Sequence, residues 1–270
     1  MELKPKHVTS RLNTLLIKRA IEAIDSGSAQ TAADMIDIIQ GFRQKKNKDL
    51  YQRVRKDLIA RKTHLFPQAK TPEEEKSRAQ NIVNLFYSFA SNRPQQFGLY
   101  KVYAAEEVNE LLSHYEADLK EISEKEGLLD PEHLTRLAQA LYILKTGDFE
   151  GIFKRIEKRA LAWAAQGKLD AYHVTNILRA FSHSQENRQC GRDKTFFALE
   201  HIVIKGLDTL SDRDASHLMY SYGVRGAGNP ELHKAFEKRL DRMASNLDYP
   251  ALFNAFYYML FTESANKGLW

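Results

Sequence analysis

The sequence predicts an all-α chain, an α-solenoid of stacked antiparallel helix pairs with a repeat of about 40 residues. Three observations carry this expectation. Apolar residues recur at i, i+3, i+4 and i+7, and strict alternation never persists. No Asn-Gly or Asp-Gly dipeptide is present to turn a two-residue β-hairpin. A leucine followed by a capping residue returns at Leu129-Asp130, Leu169-Asp170, Leu210-Ser211 and Leu247-Asp248, at spacings of 40, 41 and 37 residues.

Composition bounds the rest. Of 270 residues, 43% are hydrophobic and 28% charged, an ordinary globular balance that excludes a low-complexity or disordered chain. The longest unbroken apolar run is seven residues, Ala255 to Phe261. A bilayer-spanning helix needs about 20, so no membrane span is expected. Cys190 is the single cysteine, which excludes an internal disulfide framework. No Asn-x-Ser/Thr acceptor occurs, so nothing argues for secretion.

Along the chain, residues 1–128 read as degenerate helical repeats with a basic segment, and residues 129–270 as clearer repeats ending in a half repeat. The first 21 residues form a second cationic segment (Lys4, Lys6, Arg11, Lys18, Arg19), in which Leu12, Leu15, Leu16, Ile17 and Ile21 can share one side of a helix that continues through Ile24. An acid-poor amphipathic start is what mitochondrial import favours, and it serves equally as the first helix of a fold. Residues 33–42 with 48–59 read as one helix pair, and 80–90 with 103–121 as a second. Thr71-Pro72-Glu73-Glu74 supplies an N-cap, a first-turn proline and a capping-box glutamate. Asp130-Pro131, Asp148-Phe149-Glu150, Asn229-Pro230-Glu231 and Asp248-Tyr249-Pro250 are further helix starts.

The four leucine units align in detail. Five residues after each leucine stand Leu134, Val174, Ala215 and Leu252; nine after stand Ala138, Leu178, Met219 and Phe256. Twelve after stand Leu141, Phe181, Tyr222 and Met259. Gly147 and Gly228 occupy equivalent places before second helices bearing Ile156-Glu157-Lys158-Arg159 and Phe236-Glu237-Lys238-Arg239. A lone pair cannot bury its apolar face, so neighbours must stack on it. The last first-helix carries Leu252, Phe253, Phe256, Tyr257, Met259, Leu260 and Phe261 with no partner helix after it. Continuation of the chain or a second subunit is expected to cover that end, making Phe253, Phe256, Tyr257, Leu260 and Trp270 candidate protein-interface residues.

Charge is uneven. Residues 1–70 hold 15 Lys/Arg against 7 Asp/Glu, residues 71–128 hold 6 against 11, and the remainder 19 against 17. The excess concentrates at Arg43, Lys45, Lys46, Lys48, Arg53, Arg55, Lys56, Arg61 and Lys62. Such a run can follow a phosphate backbone, so Arg43, Lys45, Lys46, Lys48, Arg53, Arg55 and Lys56 are candidate RNA contacts. A solvated helix face, or a contact for an acidic protein, uses the same residues.

The units of 37 to 41 residues, the Leu-Asp start, the aromatic-rich first helix and the basic second helix resemble the heptatricopeptide and octotricopeptide class of organellar helical repeats, relatives of pentatricopeptide proteins. Residues 129–163, 169–207, 210–243 and 247–270 carry the resemblance closely; the N-terminal half follows it loosely. The resemblance implies a mitochondrial or chloroplast protein that binds RNA or is built into ribosomes and other large assemblies. In pentatricopeptide relatives a polar residue of the first helix reads the base. Seven residues after each leucine stand Arg136, Asn176, His217 and Asn254, and the resemblance makes Arg136, Asn176 and His217 candidate readers.

No catalytic signature stands out, and no cofactor or metal is expected. There is no His-Glu-x-x-His, Cys-x-x-Cys or phosphate-loop motif. His133 and His173 hold equivalent repeat positions, which points to a shared packing role. Gly223, Gly226 and Gly228 read as a flexible turn between helices, and Cys190 as incidental. The expected function is a non-enzymatic scaffold subunit of a large assembly in the mitochondrial matrix, preferably a ribonucleoprotein such as the mitochondrial ribosome. Its partners are then protein subunits and RNA. The alternatives are a free organellar factor binding single-stranded RNA, and an accessory subunit of a respiratory or ATP synthase complex.

Overall fold

A computed structural model of the chain describes residues 5–42, 48–91, 105–144, 149–182 and 193–262. Among the described residues all regular structure is helical, in thirteen α-helices and two short 3₁₀ turns. The chain divides into two compact units, Met1–Leu129 and Asp130–Trp270.

The first unit contains α1 (Pro5–Asp25), α2 (Ala32–Gly41), α3 (Lys48–Ala60), the single turn α4 (Lys62–Leu65), α5 (Pro72–Ser91) and α6 (Ala105–Glu124). Helix starts are where short polar side chains can accept from orphan amides. Thr31 caps α2 in a full capping box, with Asp34 N–H donating to Thr31 Oγ1 at 3.1 Å and Thr31 N–H to Asp34 Oδ2 at 2.8 Å. Thr71 accepts from Glu74 N–H at 3.2 Å at the head of α5. Helices α2 and α3 form one pair, α5 and α6 another; α2 packs on α5, and α3 packs on α1 and α6. The turn α4, absent from the pattern read above, continues α3 and buries Leu65 and Phe66. Tyr115 of α6 is the hub. Its ring meets Phe86 and Phe66 edge-on at 5.5 and 5.7 Å, and its hydroxyl donates to the Leu58 carbonyl at 3.0 Å. Burial raises the Tyr115 phenol above its ordinary pKa, so the donor stays protonated.

The second unit contains α7 (Pro131–Leu144), α8 (Glu150–Ala165), α9 (Ala171–Ser182), α10 (Asp193–Gly206), α11 (Asp212–Arg225), α12 (Pro230–Met243) and α13 (Tyr249–Thr262). Each of the four leucine units opens in the same way. Asp130, Asp170, Ser211 and Asp248 accept from the amide three residues on, at 2.9, 2.9, 3.1 and 2.9 Å. Leu129, Leu169 and Leu210 are buried just before them. Asn229 caps α12 over Pro230 and accepts from Leu232 N–H at 2.8 Å. The expected cap Asp148 lies outside the described residues.

Packing follows two rows. Helices α7, α9, α11 and α13 lie against one another in sequence, and α8, α10 and α12 do likewise. Aromatic rings link the rows: Phe153 meets Phe181 at 6.0 Å, Phe196 meets Tyr222 at 5.0 Å, and Phe236 meets both Tyr222 (5.6 Å) and Tyr258 (5.5 Å). Tyr222 and Tyr258 are buried, yet their hydroxyls reach the Phe196 carbonyl at 3.1 Å and His233 Nδ1 at 2.7 Å.

The glycine-rich stretch divides in two. Gly226 ends α11 in the left-handed conformation at φ +59°, as expected of a turn. Gly223 instead lies inside α11, where a Cβ would stand 3.0 Å from the Tyr258 Cα. Its missing side chain is what lets α13 approach. Gly223→Ala is therefore expected to destabilise the chain by about 1–3 kcal/mol, read as a lower urea midpoint with unchanged helical circular dichroism.

Candidate interaction surfaces

The basic segment meets its counter-charges within the first unit. Arg43, Lys45 and Lys46 lie outside the described residues. Arg53 reaches both Asp25 carboxylate oxygens at 2.7 Å, and Arg55 pairs with Glu110 of α6. Arg61 donates to Asp57 at 2.7 Å and to the Ala29 carbonyl at 2.9 Å. Lys62 stands 2.6 Å from Asp118, which Arg78 of α5 also contacts. Of the run, Lys48 and Lys56 are exposed and make no ion pair among the described residues. Within the described residues the cations of α3 and α4 are spent largely on α1 and on the acidic 71–128 segment.

Asp118 carries the densest of these contacts and was not singled out from the sequence. It is buried between Lys62 and Arg78, and Lys62 also lies 4.8 Å over the Tyr115 ring. One carboxylate thereby ties α4, α5 and α6 around the aromatic hub. Tyr115 three residues earlier was the available sequence signal, since the two share a face of α6.

The polar residues at the seventh place are not an exposed row. Asn176 is 4% exposed and His217 is 7% exposed. Gln139 of α7 donates to Asn176 Oδ1, and the Asn176 amide donates to the Tyr172 carbonyl at 2.9 Å. The Asn254 amide donates to His217 Nδ1 at 2.8 Å across α11 and α13. Arg136 is half-buried and donates to Glu132 at 2.9 Å. The Gln139–Asn176 and His217–Asn254 contacts form polar rungs between consecutive helices, because a polar atom buried at a helix joint must find a partner there, whereas the Arg136–Glu132 pair lies within α7. His133 and His173 have the same local role in their units. Each ring nitrogen Nδ1 lies beside the helix-capping aspartate, 2.7 Å from Asp130 and 2.8 Å from Asp170.

The apolar surface of α13 is the other outstanding feature. Tyr249–Thr262 contains no charged residue. Ala251, Ala255, Tyr258 and Met259 face inward, and Tyr257 is half-buried between Tyr220 (5.9 Å) and Phe253 (4.5 Å). Tyr249, Leu252, Phe253, Phe256, Leu260 and Phe261 are exposed. Their equivalents are not: at the fifth place Leu134, Val174 and Ala215 are buried, and at the ninth Ala138, Leu178 and Met219. Of the residues expected to meet a partner, Phe253, Phe256 and Leu260 are partly exposed on this surface, with Phe256 edge-on to Tyr257, and Trp270 falls outside the described residues. Tyr249 was not singled out as a surface residue; it stood within Asp248-Tyr249-Pro250, which read as a helix start.

No group of three or more His, Cys, Asp or Glu side chains is placed to hold a metal ion among the described residues. No described helix is long and apolar enough to cross a membrane. Comparison with protein-family models and with characterised proteins finds no match to this chain.

Two electrostatic predictions follow from these contacts. Asp118→Ala strands Lys62 and Arg78 partly buried without their carboxylate, and is expected to cost about 3–5 kcal/mol in urea unfolding. Glu200 on α10 is 4% exposed and accepts from Asn229 N–H at 3.1 Å; burial pushes its carboxyl above the ordinary value of 4.5. A carboxyl raised on folding stabilises below its unfolded pKa and loses that contribution as pH rises through the folded one. Glu200→Gln should therefore melt higher than the parent at pH 7.5, and the gap should close as pH falls towards 4.5.

Proposed function

We propose that this chain is a non-enzymatic scaffold, an α-solenoid of helix pairs of about 40 residues, built into a large mitochondrial assembly by protein contacts on α13. The observation that carries the reading is the open, uncharged surface of that helix. Burying one such side chain is worth about 1.5–3 kcal/mol, so leaving several in water is a substantial loss that a protein partner recovers. The solenoid reading is supported by the four identically capped first helices, by their sequential packing and by the second row beside them.

A mitochondrial host draws on the resemblance to organellar repeats and on the cationic, amphipathic α1, whose Leu12, Leu15 and Leu16 are exposed. A ribonucleoprotein host, with the mitochondrial ribosome preferred, draws on the net charge of +5 and on Lys48 and Lys56. Sequence reading by Asn176 and His217 forms no part of the proposal, because both are buried in helix joints.

Native purification of the tagged chain followed by mass spectrometry tests the reading. Subunits of one organellar assembly are expected, and they should be lost from the Phe253→Glu/Leu260→Glu variant. A chain that brings down no such set would remove the scaffold reading. If RNA is touched by α3, Lys48→Glu/Lys56→Glu should weaken filter binding by severalfold and flatten its salt dependence; unchanged binding would leave a protein-only host.

A further inference from the structure

Resting on the reading of α13 as a protein interface, we propose that its occupant is a second copy of this chain, docked α13 against α13. Three observations point there. The first is spacing. Tyr249, Phe253, Phe256 and Leu260 are all exposed and stand four, three and four residues apart. This is the seam by which one helix packs lengthwise against another, with Leu252 at its flank.

The second is the nature of the joints already made. Where α11 receives α13, it offers small groups: Ser216 lies against Asn254, and Gly223 lies under Tyr258. Thr135 and Thr175 are buried at the place equivalent to Ser216, so all three receiving helices are small there. The place equivalent to Gly223 holds Ser182 in α9 and the half-buried Tyr142 in α7. In α13 these two places hold Phe253 and Leu260, both about half exposed. With Phe253 at the place that is small in the other first helices, the outer side of α13 is not shaped for another helix pair in the same register. It presents bulky apolar side chains, which interdigitate with a surface of the same kind.

The third is charge and area. Helix pairing is ordinarily made selective by charges beside the seam, and like charges there oppose self-association. Tyr249–Thr262 carries none, so two copies approach without repulsion from this helix. The five side chains of the seam and its flank, roughly 200 Å² each and open by about half, present about 500 Å². Two copies then bury about 1,000 Å² in all, the size of a weak specific interface. A two-fold axis makes one patch serve both partners, so a single uncharged helix suffices.

Sedimentation equilibrium of the full 270-residue chain tests this. A monomer–dimer equilibrium in the micromolar range is expected. Phe253→Glu/Leu260→Glu should shift it at least a hundredfold towards monomer, with unchanged circular dichroism and urea midpoint. Phe197→Glu, at an exposed residue of α10, should leave it unaltered and serves as the control for non-specific stickiness. A monomer at all concentrations, a dimer that survives Phe253→Glu/Leu260→Glu, or concentration-dependent aggregates without a dimer would each overturn the proposal. Its failure is separable from that of the scaffold reading. A monomer whose double variant still loses its co-purifying proteins dismisses the second copy and keeps the docking surface. A monomer whose double variant keeps them dismisses both.

Discussion

A helix of three or four turns with an apolar stripe has nowhere to put that stripe except against another helix, and most features of this protein answer that constraint. Helices α7, α9, α11 and α13 are each 12 to 14 residues long. None is long enough to persist alone in water, so each is held by the helices before and after it. The caps at Asp130, Asp170, Ser211 and Asp248 start these helices where their neighbours need them. The tyrosines and phenylalanines between the rows supply area, and their hydroxyls find carbonyl or imidazole partners in the interior. The same constraint makes α13 distinctive, because its stripe continues onto a side that the described residues leave open.

Polar chemistry in both units is turned inward. In the first unit, Arg55, Lys62 and Arg78 meet Glu110 and Asp118, so cations and anions far apart in sequence neutralise one another at helix contacts. In the second, Asn176, His217, Asn254, Ser182 and Ser221 hydrogen-bond at the joints between first helices. Buried pairs of this kind add modestly to stability but penalise wrong registers, since a slipped helix would strand each polar group. The apolar surface of α13 has no such device along it. That contrast supports a contact made by area and shape.

Much of the local architecture was legible in the sequence. The apolar period predicted helices, and the Leu-Asp and Leu-Ser pairs marked four helix starts to the residue, because capping is a local transaction between a side chain and an amide three residues on. The short helix α4 was not visible, since Lys62–Leu65 has too few residues to show a period. Gly223 read as part of a turn because glycine is a turn residue in isolation. Its role inside α11 depends on Tyr258, 35 residues later.

The candidate surfaces divide along the same line. By itself, the sequence determined where the helices begin, which residues are apolar, and that cations crowd between 43 and 62. It also marked Phe253, Phe256 and Leu260 as residues in need of cover. Only the tertiary structure decided which polar side chains are free. Arg53, Arg55, Arg61 and Lys62 resemble Lys48 and Lys56 in the sequence, yet the first four meet carboxylates and the last two face water. Asn176 and His217 have the composition of a solvent-facing row and the environment of a helix joint. The physical reason is range. Propensity, capping and periodicity act over a few residues, whereas, the local Arg61–Asp57 pair aside, these ion pairs and joints are set by groups 28 to 56 positions away, whose arrival only the packed fold determines.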